Sequence, residues 1–257
     1  MYDLLLAGKR AVVTGASRGI GKAISLAFAR HGASLIVNYP DMCEEEEATG
    51  VVEEIRSGGG TAYAVRADVT VVSDVDDLIR LAIEYMGGID TLVNNAGVCP
   101  WHEFLNMSVE TWQLAQSVNH LGTFLCSQRT AREMIAQRIG GTIISIGSVG
   151  AYTGGAMQAH YNASKAAVGS LMRSLAVALG PFGIRCNSVL PGCIRTAMNK
   201  DIMVDESVSF AIEKRTPLGR LGAPEDIVGA SIFFASDLSC FCTGTELRVD
   251  GGLSINV

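Results

Sequence analysis

Ser148, Tyr161 and Lys165 are the residues whose types and spacing could do chemistry together; they lie in the stretch SVGAYTGGAMQAHYNASK. If Tyr161 and Lys165 sit one turn apart on a helix, a hydroxyl, a phenol and an ammonium come within reach of one reacting oxygen. A free tyrosine, with a pKa of about 10, is almost fully protonated at neutral pH. A nearby ammonium favours the phenolate and lowers that pKa, which makes the YxxxK spacing chemically useful for proton transfer. Ser148, placed at the end of a strand, could bind and orient the oxygen concerned. Asn119 is a fourth candidate, because its polarity in SVNHLGTF is not explained by packing alone. A helix kink filled by its side-chain amide is one reading of it.

Proton transfer of this kind needs a second reactant held opposite the phenol, and the N-terminal part of the chain is suited to hold one. An apolar run, RAVVT, turns at once into GASRGIG and then into KAISLAFARHG, which has helical spacing. In a strand, turn and helix of this kind Gly15 permits the turn, Gly19 lets the backbone approach a pyrophosphate, and Gly21 permits close packing. Amides at the helix N-terminus complete an anion site.

The elements that must position these groups follow in alternation. Strands are expected at ASLIVN, TAYAVRAD, IDTLVNNAG, GTIISIGS, IRCNSVLPG and TELRVDGG. Helices are expected between them, one starting at Ser73, one running from about Val109 to Arg138, and others along HYNASKAAVGSLMRSLAVALG and APEDIVGASIFFAS. Continuous apolar strands alternating with helices indicate an α/β fold of one domain, a doubly wound parallel sheet of Rossmann-like type with helices on both faces. Within residues 1–257 the dinucleotide-binding part is expected at about 8–145 and the catalytic part at about 146–257. The less regular segment 196–220 is expected to act as a lid over the cleft.

Composition narrows the classes. The net charge is −6 and no basic stripe occurs, which argues against nucleic acid or an anionic membrane as partner. No apolar run reaches the roughly 20 residues of a membrane span. The start, MYDLLLAGKR, lacks the basic region and longer apolar core of a secretory signal, so a cytoplasmic location is expected. Seven cysteines without paired spacing argue for reduced thiols, and no metal site is expected. The acidic run Glu44 to Glu47 reads as a solvated helix start.

The TGASRGIG spacing, Asp68 and Val69 after the third strand, the tetrapeptide Asn94 to Gly97, YxxxK, and Pro191, Gly192, Ile194 and Thr196 in PG-x-I-x-T occur in an order that resembles the short-chain dehydrogenase/reductase family. The likeness extends to the closing DGG. It implies an oxidoreductase that moves a hydride to or from NADP or NAD, with Tyr161 as base or acid. Ser17, Arg18, Gly19 and Ile20 would lie along the cofactor, Asp68 and Val69 at its adenine, and Asn95, Ala96 and Gly97 beside its nicotinamide ribose. Pro191, Gly192, Ile194 and Thr196 would meet the carboxamide, and Asn119 would hold a water that links Lys165 to solvent. Tyr39 stands at the end of the second strand, where a carboxylate would select NAD. With no charge there and Arg18 available for a 2′-phosphate, NADP or dual use is expected. The resemblance also implies a homotetramer, with the helix after Val109, the helix after His160 and the final helix and strand at its interfaces.

A narrower resemblance rests on NNAGVCPWHEFLNM, GGAMQAHY, ALGPFGIRCNSVLPG and PLGRLGAPEDI, which look like the aldose 1-dehydrogenases, the L-rhamnose-oxidising branch among them. It implies oxidation of a cyclic sugar at C1 to a lactone. A sugar pocket wants polar side chains and an apolar plate. Gln158 and His160 could supply the first and Trp101 the second, although His160 could equally point away along its helix and Trp101 could equally pack on the lid. Cys193 is the remaining pocket candidate, at a position where a hydroxyl-bearing residue is expected in close rhamnose-oxidising relatives. Reduction of a ketone, whether a ketose, a β-ketoacyl thioester or a secondary metabolite, is the alternative. A non-catalytic NADP sensor is the alternative of a different class.

Overall fold

Strand segments alternating with helices build one parallel sheet in the computed structural model, which describes residues 4–256. Only the first residues of MYDLLLAGKR and the last residue of the chain lie outside that range. The strands are β1 (Arg10–Val13), β2 (Ser34–Tyr39), β3 (Thr61–Arg66), β4 (Thr91–Asn94), β5 (Gly141–Ile146), β6 (Ile184–Pro191) and β7 (Glu246–Val249). They pair in the order β3-β2-β1-β4-β5-β6-β7, every neighbour parallel. The chain reverses its direction of winding between β1 and β4, so a cleft opens at the carboxyl ends of those two strands.

Both faces of the sheet are covered, and the strand period of two divides the apolar side chains between them. Val13, Leu35, Val37 and Ile144 pack with Phe28 and Phe234 in one cluster, while Val12, Ile36, Leu92 and Ile143 pack with Leu78 and Met134 in the other. Helices α1 (Gly19–Arg30), α2 (Glu45–Ser57) and α9 (Pro224–Ala235) cover the first face. Helices α3 (Val72–Met86), α5 (Gly122–Gln137) and α6 (Ala159–Leu179) cover the second. Full burial of a phenylalanine such as Phe28 or Phe234 contributes about 2–3 kcal/mol.

Three local features differ from expectation. The α3 N-cap is Val71, without a side-chain cap, and Ser73 lies inside the helix. Asp74 in the first turn instead accepts a hydrogen bond from the Asp68 backbone N–H at 3.0 Å, which ties the helix start to the end of β3. The long helix expected from Val109 is α4 (Val109–Ala115) joined to α5 through a π-helical turn, Gln116–Leu121, that carries Asn119. The segment 196–220 contains two short helices, α7 (Lys200–Met203) and α8 (Glu206–Arg215), and α8 buries none of its residues. Among the described residues all seven cysteines are free, with Cys99, Cys126 and Cys186 buried.

Candidate active site

The glycine turn between β1 and α1 has the backbone a phosphate cradle requires. Gly15 and Gly19 have φ values of 58° and 56°, in the left-handed region that side chains disfavour. A Cβ on Gly21 would lie 2.4 Å from the Gly15 carbonyl oxygen, so α1 and the turn touch through a glycine. Arg18 is the N-cap residue of α1, no side chain caps the helix amides and no acid follows in the first turn, which leaves the leading amides available to an anion. These features fit the pyrophosphate of a dinucleotide. Asn38, buried at the end of β2, accepts from the Gly15 N–H at 3.2 Å and donates to the Ala67 carbonyl at 3.0 Å. It fixes the turn from behind; a polar residue directly after the apolar run Leu35–Val37 was the signal for it.

The Asn94–Gly97 loop is bound to this turn through Asn95 and Ala96. Asn94 donates to Ser127 Oγ at 2.9 Å, which holds the loop to α5. Asn95 Nδ2 donates to the Thr14 and Gly15 carbonyls at 2.9 and 2.8 Å, and the Ala96 N–H donates to Thr14 Oγ1 at 3.0 Å. Gly97 lies against the reacting groups: a Cβ there would be 3.3 Å from Asn119 Oδ1 and 3.5 Å from Lys165 Nζ. On the other side of the cradle, the segment from Pro191 to Thr196 folds over it. Pro191 pairs with Val249, and Gly192 has no Cβ to strike Asp250, which would lie 2.7 Å away. Ile194 is buried in a bridge to Gly222, and the Thr196 methyl would be 3.6 Å from a Cβ on Gly19. Asp68 Oδ1 accepts from Thr70 N and Oγ1, both at 2.8 Å, and Val69 packs into the space left by Gly122. Ile20 is half-buried against the core.

Glu44 departs from the expectation set on the acidic run, whereas Glu45, Glu46 and Glu47 are exposed in the first turn of α2. Tyr39 is buried, and its hydroxyl donates to Glu45 Oε1 at 3.4 Å; burial and this carboxylate both push the phenol above its usual pKa. Glu44 is not solvated. Its side chain is only 15% exposed and turns back over the cradle, where Arg18 Nη2 donates to Oε1 at 2.7 Å and the buried Ser17 hydroxyl donates to Oε2. The correction has a simple cause: Glu44 closes a 3₁₀ turn (Met42–Glu44) before α2 begins at Glu45, which aims it inward rather than along the helix surface.

The reacting groups come from β5 and α6. Ser148 follows β5 and accepts at Oγ from the Gly150 N–H at 3.0 Å. Tyr161 and Lys165 lie one turn apart on α6. Lys165 is buried, donates to the Ile146 carbonyl at 2.7 Å, and sits 5.7 Å from the centre of the Tyr161 ring. The pKa values run against the expected lowering of the phenol. Burial pushes Tyr161 up to about 12, with a hydrogen bond to Ser148 pulling it down, and burial brings Lys165 down to about 8. Desolvation is the largest influence on both groups, and the ammonium places a hydrogen bond on the Ile146 carbonyl.

Asn119 braces this arrangement. Its Oδ1 accepts from the Val98 N–H at 2.8 Å, and its Nδ2 donates to the Val98 carbonyl at 3.0 Å and to Ser164 Oγ at 2.9 Å. Ser164 in turn donates to the Tyr161 carbonyl at 2.7 Å. The amide, carried on the π-helical turn, thus locks the Gly97–Val98 loop to α6.

Around Tyr161 the two loops 98–103 and 154–158 meet through the His102 N–H and the Met157 carbonyl at 3.1 Å. Gln158 Nε2 donates to Cys99 Sγ at 3.4 Å, and burial pushes the Cys99 thiol above its usual pKa. Sequence reasoning passed over Cys99 within NNAGVCPW because a lone thiol carries no spacing signal. His160 is wholly buried beside Pro100 and His102, neither ring nitrogen has a partner in hydrogen-bond geometry, and burial holds the imidazole below its usual pKa. Trp101 has a buried Nε1 without a partner. Cys193 is placed apart from these groups, with Asn199 Nδ2 3.8 Å from its sulfur, in a small cavity with Thr216, Leu218 and Asp250.

A cradle for a dinucleotide therefore opens beside a serine, a tyrosine and a lysine at the carboxyl ends of a parallel sheet, and residues 15–254 match the family model described as enoyl-(acyl carrier protein) reductase. The chain belongs to the short-chain dehydrogenase/reductase family. It is 46% identical to the L-rhamnose 1-dehydrogenase (NAD(P)(+)) of a Sphingomonas species, over 98% of this chain and 99% of that protein. It is 42% identical to the L-rhamnose-1-dehydrogenase of Scheffersomyces stipitis, over 98% of each. Among solved structures it is similar to a gluconate 5-dehydrogenase from Burkholderia cenocepacia in complex with NADP and tartrate, with a TM-score of 0.93, 35% identity, and coverage of 99% of this chain and 98% of that one. The chain is accordingly an NAD(P)-dependent oxidoreductase of this family.

Proposed function

We propose that this short-chain dehydrogenase/reductase oxidises an aldose such as L-rhamnose at C1 to the lactone. What carries the reading is the identity of almost half of all residues, over nearly the full length, with proteins named for that reaction. NAD(P), when bound, supplies the hydride acceptor. The chain supplies the rest. The Gly15–Gly21 turn with the amides of α1, and the loops at Asn95–Gly97 and Pro191–Thr196, would hold the cofactor. Ser148 orients the hydroxyl that loses its proton, Tyr161 takes that proton on its phenolic oxygen, and Lys165 holds a positive charge nearby. Asn119 keeps Val98 and Ser164 in place around them and lies on the path by which a water would connect Lys165 to solvent. Residues 8–145 would serve mainly cofactor binding and 146–257 catalysis, with 196–220 closing over the substrate.

A sugar site would draw on Gln158 and Trp101, with Cys193 outside it, and the unpartnered indole N–H of Trp101 is a donor that a sugar hydroxyl could satisfy. His160 would act through the loop at Pro100 rather than on the sugar. We further propose use of NADP beside NAD, a cytoplasmic location, and a homotetramer. Exposed apolar side chains support the last: Leu105, Val109 and Leu121 near α4, Val177 on α6, and Phe241 before β7. Among the described residues no helix is long and apolar enough to cross a membrane.

The experiment is a panel of aldoses, polyols and ketones followed at the nicotinamide absorbance band. L-Rhamnose is expected to give kcat/KM at least about tenfold above polyols, the discrimination that one or two well-placed hydroxyl contacts provide. No signal with any aldose, together with consumption of NADPH by a ketone, would replace the aldose reading with the reductase one.

A further inference from the structure

We infer that Glu44 sets the discrimination between NAD and NADP in this protein. The inference rests on the reading that the Gly15–Gly21 turn holds the pyrophosphate, which places the adenosine ribose beside Ser17, Arg18 and the end of β2. At that corner Tyr39 offers no charge: its ring is buried and its hydroxyl is spent on Glu45. The carboxylate comes instead from Glu44, which takes hydrogen bonds from both Ser17 and Arg18. Arg18 is the cation a 2′-phosphate would use, and it is already paired. Lys22, on the same side, is paired with Glu54 at 3.2 Å, and Arg66, beside Tyr39 at the end of β3, is exposed and has no carboxylate partner among the described residues, so Arg18 with its bound Glu44 is where the pairing sets the balance.

Two consequences follow from charge alone. A 2′-phosphate must displace Glu44 from Arg18 and then remain close to a carboxylate that is mostly shielded from water, where repulsion between like charges is strong. A ribose hydroxyl meets no such penalty, because a carboxylate accepts hydrogen bonds from it. Glu44 thereby does from a 3₁₀ turn, five residues beyond β2, what a carboxylate at the strand end would do. Its neighbour Glu46 belongs to the same acidic run but is exposed and makes no hydrogen bond or ion pair among the described residues.

The test measures dissociation constants for NADP and NAD by protein fluorescence on the unsubstituted protein, on Glu44→Gln and on Glu46→Gln. Glutamine keeps an acceptor for Ser17 and Arg18 and removes the charge. Glu44→Gln is expected to shift the ratio of the two constants toward NADP by about tenfold, and Glu46→Gln by less than about twofold, since an exposed charge is screened. An unmoved ratio in Glu44→Gln, or an equal shift in Glu46→Gln, would overturn the inference while leaving the cradle intact. Failure of the unsubstituted protein to bind either dinucleotide would overturn the cradle reading, and the inference with it. The ratio in the unsubstituted protein serves only as the baseline, so a protein that favours NAD outright tests Glu44 equally well.

Discussion

Tyr161→Phe is expected to lower kcat by about a thousandfold or more while the cofactor dissociation constant changes by less than about twofold, since loss of a positioned acid/base removes two to four orders of magnitude and leaves binding elsewhere intact. The phenyl ring keeps the packing of α6, and the Ser164 bond to the Tyr161 carbonyl does not depend on the hydroxyl. What goes is the hydroxyl that is hydrogen-bonded to Ser148 and carries the proton. Steady-state rates beside a fluorescence titration check both halves. Retention of more than a few per cent of the activity would mean that another group moves the proton.

The wild-type pH profile depends on the same phenol. With its pKa pushed up to about 12, the basic form is scarce at neutral pH, and oxidation needs that form. kcat/KM for oxidation should therefore climb by about tenfold per pH unit between about 6 and 8. Lys165, brought down to about 8, loses its charge above that pH, so the climb should slacken there. In Lys165→Met the rates should be lower throughout and the break near pH 8 absent. Reduction uses the protonated phenol and should be level across the neutral range.

Gly21→Ala should have the second large effect. The new Cβ would lie 2.4 Å from the Gly15 oxygen, 2.5 Å from Asn95 Nδ2 and 2.9 Å from Ala16 Cα. Two of these are backbone atoms of the cradle and the third is the amide that ties it to the Asn94–Gly97 loop, so none can yield without opening the turn. Overpacking of this kind costs about 1–3 kcal/mol, and a distorted cradle should weaken cofactor binding by about a hundredfold or more. Gly229→Ala on α9 is the control: a Cβ there meets nothing within 4 Å, and the helix should gain up to about 1 kcal/mol. Thermal unfolding and cofactor titration of the two variants separate the local clash from a general effect of alanine.

Much of this site was legible because its signals are local. The strand, glycine turn and helix from Arg10 to Arg30 are contiguous, and Tyr161 and Lys165 are one helical turn apart, so spacing alone predicts their proximity. The parallel order followed from apolar strands alternating with helices, and the register that alternates Val12 and Val13 between two cores follows from the strand period.

The parts that were not legible depend on contacts between distant segments. Glu44 reaches Arg18 across 26 positions of sequence, and a run of four glutamates gives no sign that one of them turns inward. The π-helical turn at Gln116–Leu121 keeps the apolar rhythm of a helix while shifting its phase, so a single long helix was the natural expectation. The sequence shows the lysine beside Tyr161 but neither the burial that pushes the phenol up nor the hydrogen bond of the ammonium to Ile146. His160, one residue from the phenol, is buried because the loop through Pro100 covers it, which no local pattern records.

The central claim is hydride removal from C1 of an aldose with Tyr161 as base. Its most direct measurement uses L-rhamnose carrying deuterium at C1. The expected result is reduced cofactor that has gained the deuterium, a lactone as the first product, and loss of both in Tyr161→Phe. Turnover that leaves the deuterium on the sugar, or no turnover of any aldose while a ketone consumes NADPH, would contradict the account.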